Sequence, residues 1–143
     1  MKMYQIGEVA ERVGLSLKTI RHYDEMGIVP PSGRTAGGFR LYTERDIRRF
    51  LFLKPFKPLG VGLDDVRAIL EALDELEALE SGAVVAAPEA VDALADRLAG
   101  YARMLEARSV ELRAELVDAE RMAELLATRA QVARRAGGVE LRR

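Results

Sequence analysis

The sequence predicts a mainly α-helical chain, in which a winged helix-turn-helix with a small β-wing is followed by one long C-terminal helix that forms a coiled coil. Two short amphipathic stretches share a three-residue turn, a segment rich in proline and glycine follows them, and a proline-free stretch rich in Ala, Leu, Glu and Arg fills much of the second half. These patterns predict helices, a hairpin and a long helix. We therefore divide the chain into a helix-turn-helix domain, a connecting segment, a dimerisation helix and a flexible tail, at residues 1–75, 76–87, 88–136 and 137–143.

The first two helices follow from periodicity and capping. Apolar residues at helical spacing predict a helix from Ile6 to Val13, and Gly14 suits the left-handed conformation that ends it. Ser16 is a good N-cap for a second helix from Leu17 to about Met26. In this layout the second helix is the one offered to the major groove of DNA.

The segment after these helices predicts a β-wing. Paired prolines, Pro30 and Pro31, prevent a helix, and the pair Gly37–Gly38 suits a turn between two short extended arms. Arg34 and Arg40 flank the tip, so the loop could lie along a phosphate strand, although an ordinary solvated hairpin would have the same pattern.

Two further helices complete the first half. Thr43 caps the third helix, and we expect its regular part to end near Leu53 because prolines follow closely. After two chain-breaking glycines, a fourth helix begins at Leu63 and fades near Glu80.

The long helix carries an apolar stripe that it cannot bury alone. It begins at Pro88 and is expected to stop near Ala136, before Gly137–Gly138. The stripe implies a partner helix, most simply from a second subunit, and the alternative is a hairpin that folds back onto the fourth helix. The predicted dimerisation residues are Val91, Leu94, Leu98, Tyr101, Leu105, Leu112, Leu116 and Leu126.

Charge is divided between the two halves. The chain has a formal net charge of -1, yet residues 1–60 carry 11 Lys and Arg against 6 Asp and Glu, and the remainder is acidic. A basic first half suits a phosphate backbone, although charge alone leaves chance asymmetry as an alternative.

Composition argues against several classes of protein. Cysteine is absent, histidine occurs once, and neither a P-loop nor a dinucleotide fingerprint is found. We therefore expect no enzyme, no cofactor and no metal site. The N-terminus does not resemble a secretory signal and no apolar run approaches a membrane span, so we expect a cytoplasmic protein.

Five short motifs follow one another in the first half of the chain: Ile6–Ala10, Thr19–Asp24, Gly27–Pro31, Gly38–Tyr42 and Leu59–Gly60. In order and spacing they resemble the MerR family of bacterial transcription regulators. The resemblance covers residues 4–73 and implies a homodimer that binds a palindromic promoter, alters its shape and works beside RNA polymerase. Because cysteine is absent and the long helix is the last predicted element, we expect a member without a cysteine sensor and without an appended effector domain.

The resemblance also implies the DNA-binding residues. Those on the second helix are Ser16, Lys18, Thr19, Arg21, His22 and Tyr23, and those on the wing are Arg34, Arg40 and Tyr42. Ser16 could instead only cap its helix, and Tyr23 could pack in the core. His22 stands where the family usually has tyrosine, and either packing or a phosphate contact fits it.

Alternative functions remain open at this point. An effector-free architectural DNA-binding protein would fit the lack of sensor chemistry, and a coiled-coil protein-interaction module is a further possibility. A small-molecule pocket could lie between the fourth and long helices beside Ala83–Ala87, although this apolar segment is better explained as a cover for the helix ends.

Overall fold

The computed structural model describes residues 1–140, with side chains described as far as Gly138. The chain forms two compact units, a first unit of Met1–Leu98 and a second that begins at Ala99. The elements, in chain order, are β1 (Tyr4–Gln5), α1 (Ile6–Val13), α2 (Leu17–Glu25), β2 (Gly33–Arg34), β3 (Arg40–Tyr42), α3 (Glu44–Leu53), α4 (Leu63–Glu80) and α5 (Pro88–Glu140). The predicted mainly α-helical fold with a β-wing and a long C-terminal helix is confirmed.

The wing belongs to a three-stranded antiparallel sheet with the order β1-β3-β2. Arg34 pairs with Arg40 in the hairpin, and Tyr4 pairs with Tyr42 on the other side of β3. The sequence analysis did not predict β1, because two residues are too short to show the alternation that identifies a strand. Its effect is to tie the wing to the start of α1.

Aromatic packing on α3 forms the centre of the first unit. The Phe50 ring lies 5.6 Å from that of Tyr42, edge to face, and 6.2 Å from that of Tyr23. Three elements, α2, α3 and β3, therefore meet at one side chain. The largest fully buried side chains among the described residues are Tyr42, Phe50, Ile20, Ile47, Leu53, Val9, Val13 and Val29.

The predicted ends of α3 are confirmed. Thr43 Oγ1 accepts a hydrogen bond from the Asp46 amide at 3.2 Å, and the Asp46 carboxylate accepts one from the Thr43 amide at 2.9 Å. This reciprocal pair satisfies two amides that a helix start leaves unpaired. At the other end α3 stops at Leu53, and Pro55 and Pro58 lie in the turns that follow.

An ion-paired cluster joins β1, α1 and α3. The Arg12 guanidinium donates to both oxygens of Glu44, at 2.7 and 3.1 Å, and the Tyr4 hydroxyl donates to the same carboxylate at 2.6 Å. These hydrogen bonds, that from Arg12 above all, lower the pKa of Glu44 to about 2. The guanidinium also lies over the Tyr4 ring, 5.0 Å from its centroid.

The long helix extends further than predicted. It begins at Pro88, as expected, but passes through Gly137 and Gly138 to Glu140, so the prediction that these glycines stop it near Ala136 is wrong. Glycine costs a helix interior only about 1 kcal/mol relative to alanine, which the adjoining hydrogen-bonded turns tolerate. Of the predicted flexible tail, residues 137–140 are helical and residues 141–143 lie outside the described residues.

The stripe of α5 divides between the two units. Leu94 is only 3% exposed within the first unit, so its predicted role in dimerisation is corrected to a role in the core of its own chain. In the second unit the stripe residues Leu116 and Leu126 are solvent-exposed, and so, on other sides of the helix, are Val110, Val117, Met122, Leu125 and Val132. None of the helices described here combines the length and apolar character needed to cross a membrane.

We expect Tyr42→Phe to stabilise the fold. The Tyr42 hydroxyl is fully buried and has no hydrogen-bond partner among the described residues, and burial raises its pKa to about 12. Since an unpaired buried hydroxyl costs on the order of 1 kcal/mol, Tyr42→Phe should raise the free energy of unfolding by about that amount, as measured by urea denaturation. Tyr4→Phe is the matched control and should lower it, because the Tyr4 hydroxyl donates to Glu44. A loss of stability in Tyr42→Phe would contradict the expectation.

A second expectation concerns how the free energy of unfolding changes at acidic pH. Because the folded-state pKa of Glu44 lies below the ordinary value of 4.5, its ion pair contributes fully above about pH 4.5, and the contribution is lost as the pH falls through about 2. Glu44→Gln removes this contribution. The difference in unfolding free energy between wild type and Glu44→Gln should therefore be constant near neutrality and shrink as the pH falls towards 2. A difference independent of pH over this range would show that Glu44 acts through packing alone.

Candidate nucleic-acid interface

The outer face of α2 is basic and exposed. Lys18, Arg21, His22 and Glu25 occupy the i, i+3, i+4 and i+7 positions, and all four are exposed, whereas Ile20 on the opposite face is fully buried. Burial of the apolar face forces the basic face outward. Three side chains predicted to contact DNA therefore lie together, with the acidic Glu25 at the C-terminal end of the same face.

Ser16 and Thr19 serve the start of α2. Ser16 Oγ accepts a hydrogen bond from the Thr19 amide at 3.1 Å, and the two hydroxyl oxygens lie 2.9 Å apart. The predicted N-cap is thus confirmed for Ser16. Contact of either residue with DNA stays a prediction, since each hydroxyl retains further hydrogen-bonding capacity.

The C-terminal end of α2 is anchored from α4. The Arg67 guanidinium donates to the carbonyl oxygen of Met26, and Gly27 adopts a left-handed φ of 68°. A cation placed on the carbonyl end of a helix satisfies an unpaired acceptor and opposes the negative end of the helix dipole. The contact holds the exposed face of α2 in one orientation within the first unit.

A tight turn closes the wing. The Gly38 amide donates to the Thr35 carbonyl at 2.9 Å, and Gly38 has a φ of 82°, a conformation that glycine adopts without strain. Arg34 Nη1 donates to the Gly38 carbonyl at 2.9 Å across the turn. The adjacent Phe39 ring is 68% exposed at the tip.

An acidic side chain that the sequence analysis missed connects the wing to α2. Arg40 Nε donates to Asp24 Oδ2 at 2.7 Å, and Arg34 Nη2 lies 3.6 Å from the same oxygen. This hydrogen bond raises the pKa of Arg40. The available signal was a carboxylate directly after Tyr23 in an otherwise basic helix, but sequence alone does not show which arginine it would meet.

The two tyrosines predicted to contact DNA lie in the core. Tyr42 is 0% exposed and its hydroxyl is buried, so its predicted contact with DNA is wrong for this structure. Tyr23 is also buried against Phe50, which is the core-packing alternative, and burial raises its pKa. The apolar rings find more stabilising contacts beneath α2 than they would on its surface.

The segment between α4 and α5 does not cover the helix ends. Val84 and Val85 are exposed, Val85 by 94%, so the predicted covering role of Ala83–Ala87 is wrong. An open groove of about 280 Å³ lies elsewhere in the first unit, between α3 and α4, where arginines are paired with the carboxylates of Asp74 and Glu77. Within the described residues, no group of three or more acidic or histidine side chains is arranged to hold a metal ion.

Comparison with known proteins identifies close relatives of this half of the chain. Residues 4–73 match the family described as MerR HTH family regulatory protein. The chain is 41% identical over 68 residues to the HTH-type transcriptional regulator ZntR of Escherichia coli, covering 48% of each chain. It is 35% identical over 75 residues to the mercuric resistance operon regulatory protein of Bacillus cereus, covering 52% of this chain and 57% of that protein.

The fold is shared with a solved structure. A MerR family transcriptional regulator from Bacillus cereus superposes with a TM-score of 0.54 at 24% identity, covering 88% of this chain and 76% of the other. At this level of identity the likeness concerns the fold alone. The chain spans about half the length of these curated relatives, through the half that holds the helix-turn-helix and the wing.

Proposed function

The chain belongs to the MerR family of helix-turn-helix regulatory proteins, and from this membership we propose that it is a transcriptional regulator that binds a palindromic promoter site as a homodimer. The observation that carries the proposal is the exposed basic face of α2, held beside a wing with two arginines. The matched relatives are named as regulators and not as enzymes, and the composition of the sequence had already argued against an enzyme. We place its action in the cytoplasm, at a promoter where RNA polymerase also binds.

In the proposed complex, α2 enters the major groove. Arg21 lies at the middle of the exposed face, where its guanidinium can bind two acceptors of a guanine or clamp a phosphate. Lys18 supplies a point charge, and His22 a ring nitrogen that can donate to a phosphate oxygen. The basic charge of residues 1–60 favours this approach over any approach through the acidic second half.

The second unit supports the proposal of a dimer. Leu116 and Leu126 lie on one side of the helix and are exposed. Full burial of an exposed leucine contributes about 1.5–3 kcal/mol, so burial of these partly exposed side chains against a partner would contribute about half of that for each. Two copies of the same stripe satisfy each other without any further component. A dimer would present two α2 helices to half-sites about one turn of DNA, or a multiple of it, apart.

The first test is selection of bound sequences from a pool of short random duplexes. We expect an enriched palindrome, with binding that weakens steeply as salt rises. Arg21→Ala should reduce affinity for the enriched duplex by about 1–3 kcal/mol and relax the preference at one position of each half-site. Arg129→Ala, the same change at an exposed site of the second unit, is the matched control and should have little effect.

Two outcomes of this selection would contradict the proposal in different ways. Salt-sensitive binding without an enriched motif would indicate an architectural DNA-binding protein instead. Absence of binding to any duplex at low salt would reject DNA binding and leave the coiled coil as an interaction module.

A separate prediction tests the dimer. Leu116→Asp places a charge on the exposed stripe and should shift the protein from dimer to monomer in sedimentation experiments, with a large loss of affinity for the palindrome. Ala114→Asp, which adds the same charge on the opposite side of the helix from Leu116, should remain dimeric. A Leu116→Asp variant that stays dimeric would show that the subunits associate through another surface.

A further inference from the structure

We infer that Asp24 gives the two wing arginines different roles. Arg40 pairs with Asp24 and positions the wing against α2, while Arg34 alone makes the wing's contact with phosphate. This inference rests on the proposed DNA binding and assigns different roles to two residues that sequence analysis had treated alike. It starts from one carboxylate oxygen that faces both guanidinium groups.

Arg40 is committed to Asp24 by geometry and burial. Its Nε donates to Asp24 Oδ2 at 2.7 Å, a charge-assisted hydrogen bond of ordinary short length. The Arg40 side chain is 24% exposed and that of Asp24 is 16% exposed. Withdrawing Arg40 to reach a phosphate would leave the Asp24 carboxylate without its hydrogen bond and with only the longer ion pair to Arg34, in a site largely shielded from water, which is costly.

Arg34 is free to respond to DNA. Its side chain is 50% exposed, and its nearest nitrogen is 3.6 Å from Asp24 Oδ2, beyond hydrogen-bond distance. One donor, Nη1, closes the wing turn on the Gly38 carbonyl, and the guanidinium has other N–H groups to offer. Arg34 can therefore bind a phosphate oxygen while it keeps the turn closed.

The Asp24 contact also fixes the distance between the two parts of the interface. Asp24 lies on α2 next to the buried Tyr23, and Arg40 lies on β3 two residues from the buried Tyr42. The ion pair thus links the exposed side of α2 to the wing above a packed core. Loss of the pair would leave the wing attached but free to tilt, so the wing would have to be ordered when it binds the phosphate, which costs affinity without removing the contact.

The experiment measures affinity and its salt dependence for the duplex enriched by selection. Since each phosphate contact contributes about 0.9 to the slope of log K against log salt, Arg34→Gln should reduce that slope by about 0.9 for each wing that binds. Arg40→Gln and Asp24→Asn should each weaken binding about tenfold with the slope unchanged. The double variant should be no weaker than either single variant, because both remove the same link.

Glu11→Gln is the matched control for the charge change at Asp24. Glu11 is exposed on α1, outside the proposed interface, and has no ion pair among the described contacts, so its neutralisation should leave binding nearly unchanged. A second measurement needs no DNA. The Arg40 side-chain Nε–H should give a slowly exchanging NMR resonance in the wild type that is lost in Asp24→Asn.

The inference is overturned if Arg40→Gln reduces the salt slope as Arg34→Gln does, or if the losses in Asp24→Asn and Arg40→Gln add in the double variant. Tighter binding by Asp24→Asn would likewise overturn it, because Asp24 would then only repel DNA. Failure of the proposed function looks different, since the wild type itself would bind no duplex.

Discussion

The Phe50 ring is the contact on which the arrangement of the first unit depends. It touches Tyr23 of α2 and Tyr42 of β3, so one aromatic side chain of α3 sets where the helix and the wing lie. Edge-to-face and tilted packing have preferred geometries, and these limit how far either partner can rotate. The basic face of α2 is outward because the residues opposite it are fastened to this centre.

Charges around this core then refine the placement. Arg12 and Tyr4 hold Glu44 at the start of α3, Arg67 holds the last turn of α2, and Arg40 holds Asp24. Each pair joins two elements that are distant in sequence. Exposed pairs of this kind contribute little stability individually, so their main effect here is to fix orientation. A DNA-binding surface needs that effect, because its contacts must match the spacing of phosphates and base edges.

The second unit differs from the first in that its apolar side chains have no core of their own chain to pack into. The first unit packs a core from several of its elements, although some of its large apolar side chains, Phe39 and Val85 among them, are exposed. The helix from Ala99 onward, as far as the structure describes it, has no such core of its own and exposes valines, leucines and a methionine. Water contact with such a stripe is unfavourable, and a second helix is the simplest means of covering it. The proposed dimer and the proposed palindrome follow from this one property.

Local chemistry determined much of this protein from sequence alone. Interactions within a few residues set the bounds of α1, the caps at Ser16 and Thr43, and the end of α3 before Pro55. The short sequence motifs of the first half identified the family. Periodicity also placed Lys18, Arg21 and His22 outside, because Ile20 must be inside. Only the tertiary structure decided contacts between distant residues: the pairing of β1 with β3, the burial of Tyr42 and Leu94, and the ion pair of Asp24 with Arg40. A side chain's partner across the fold depends on how whole elements pack, and no pattern within a single segment carries that information.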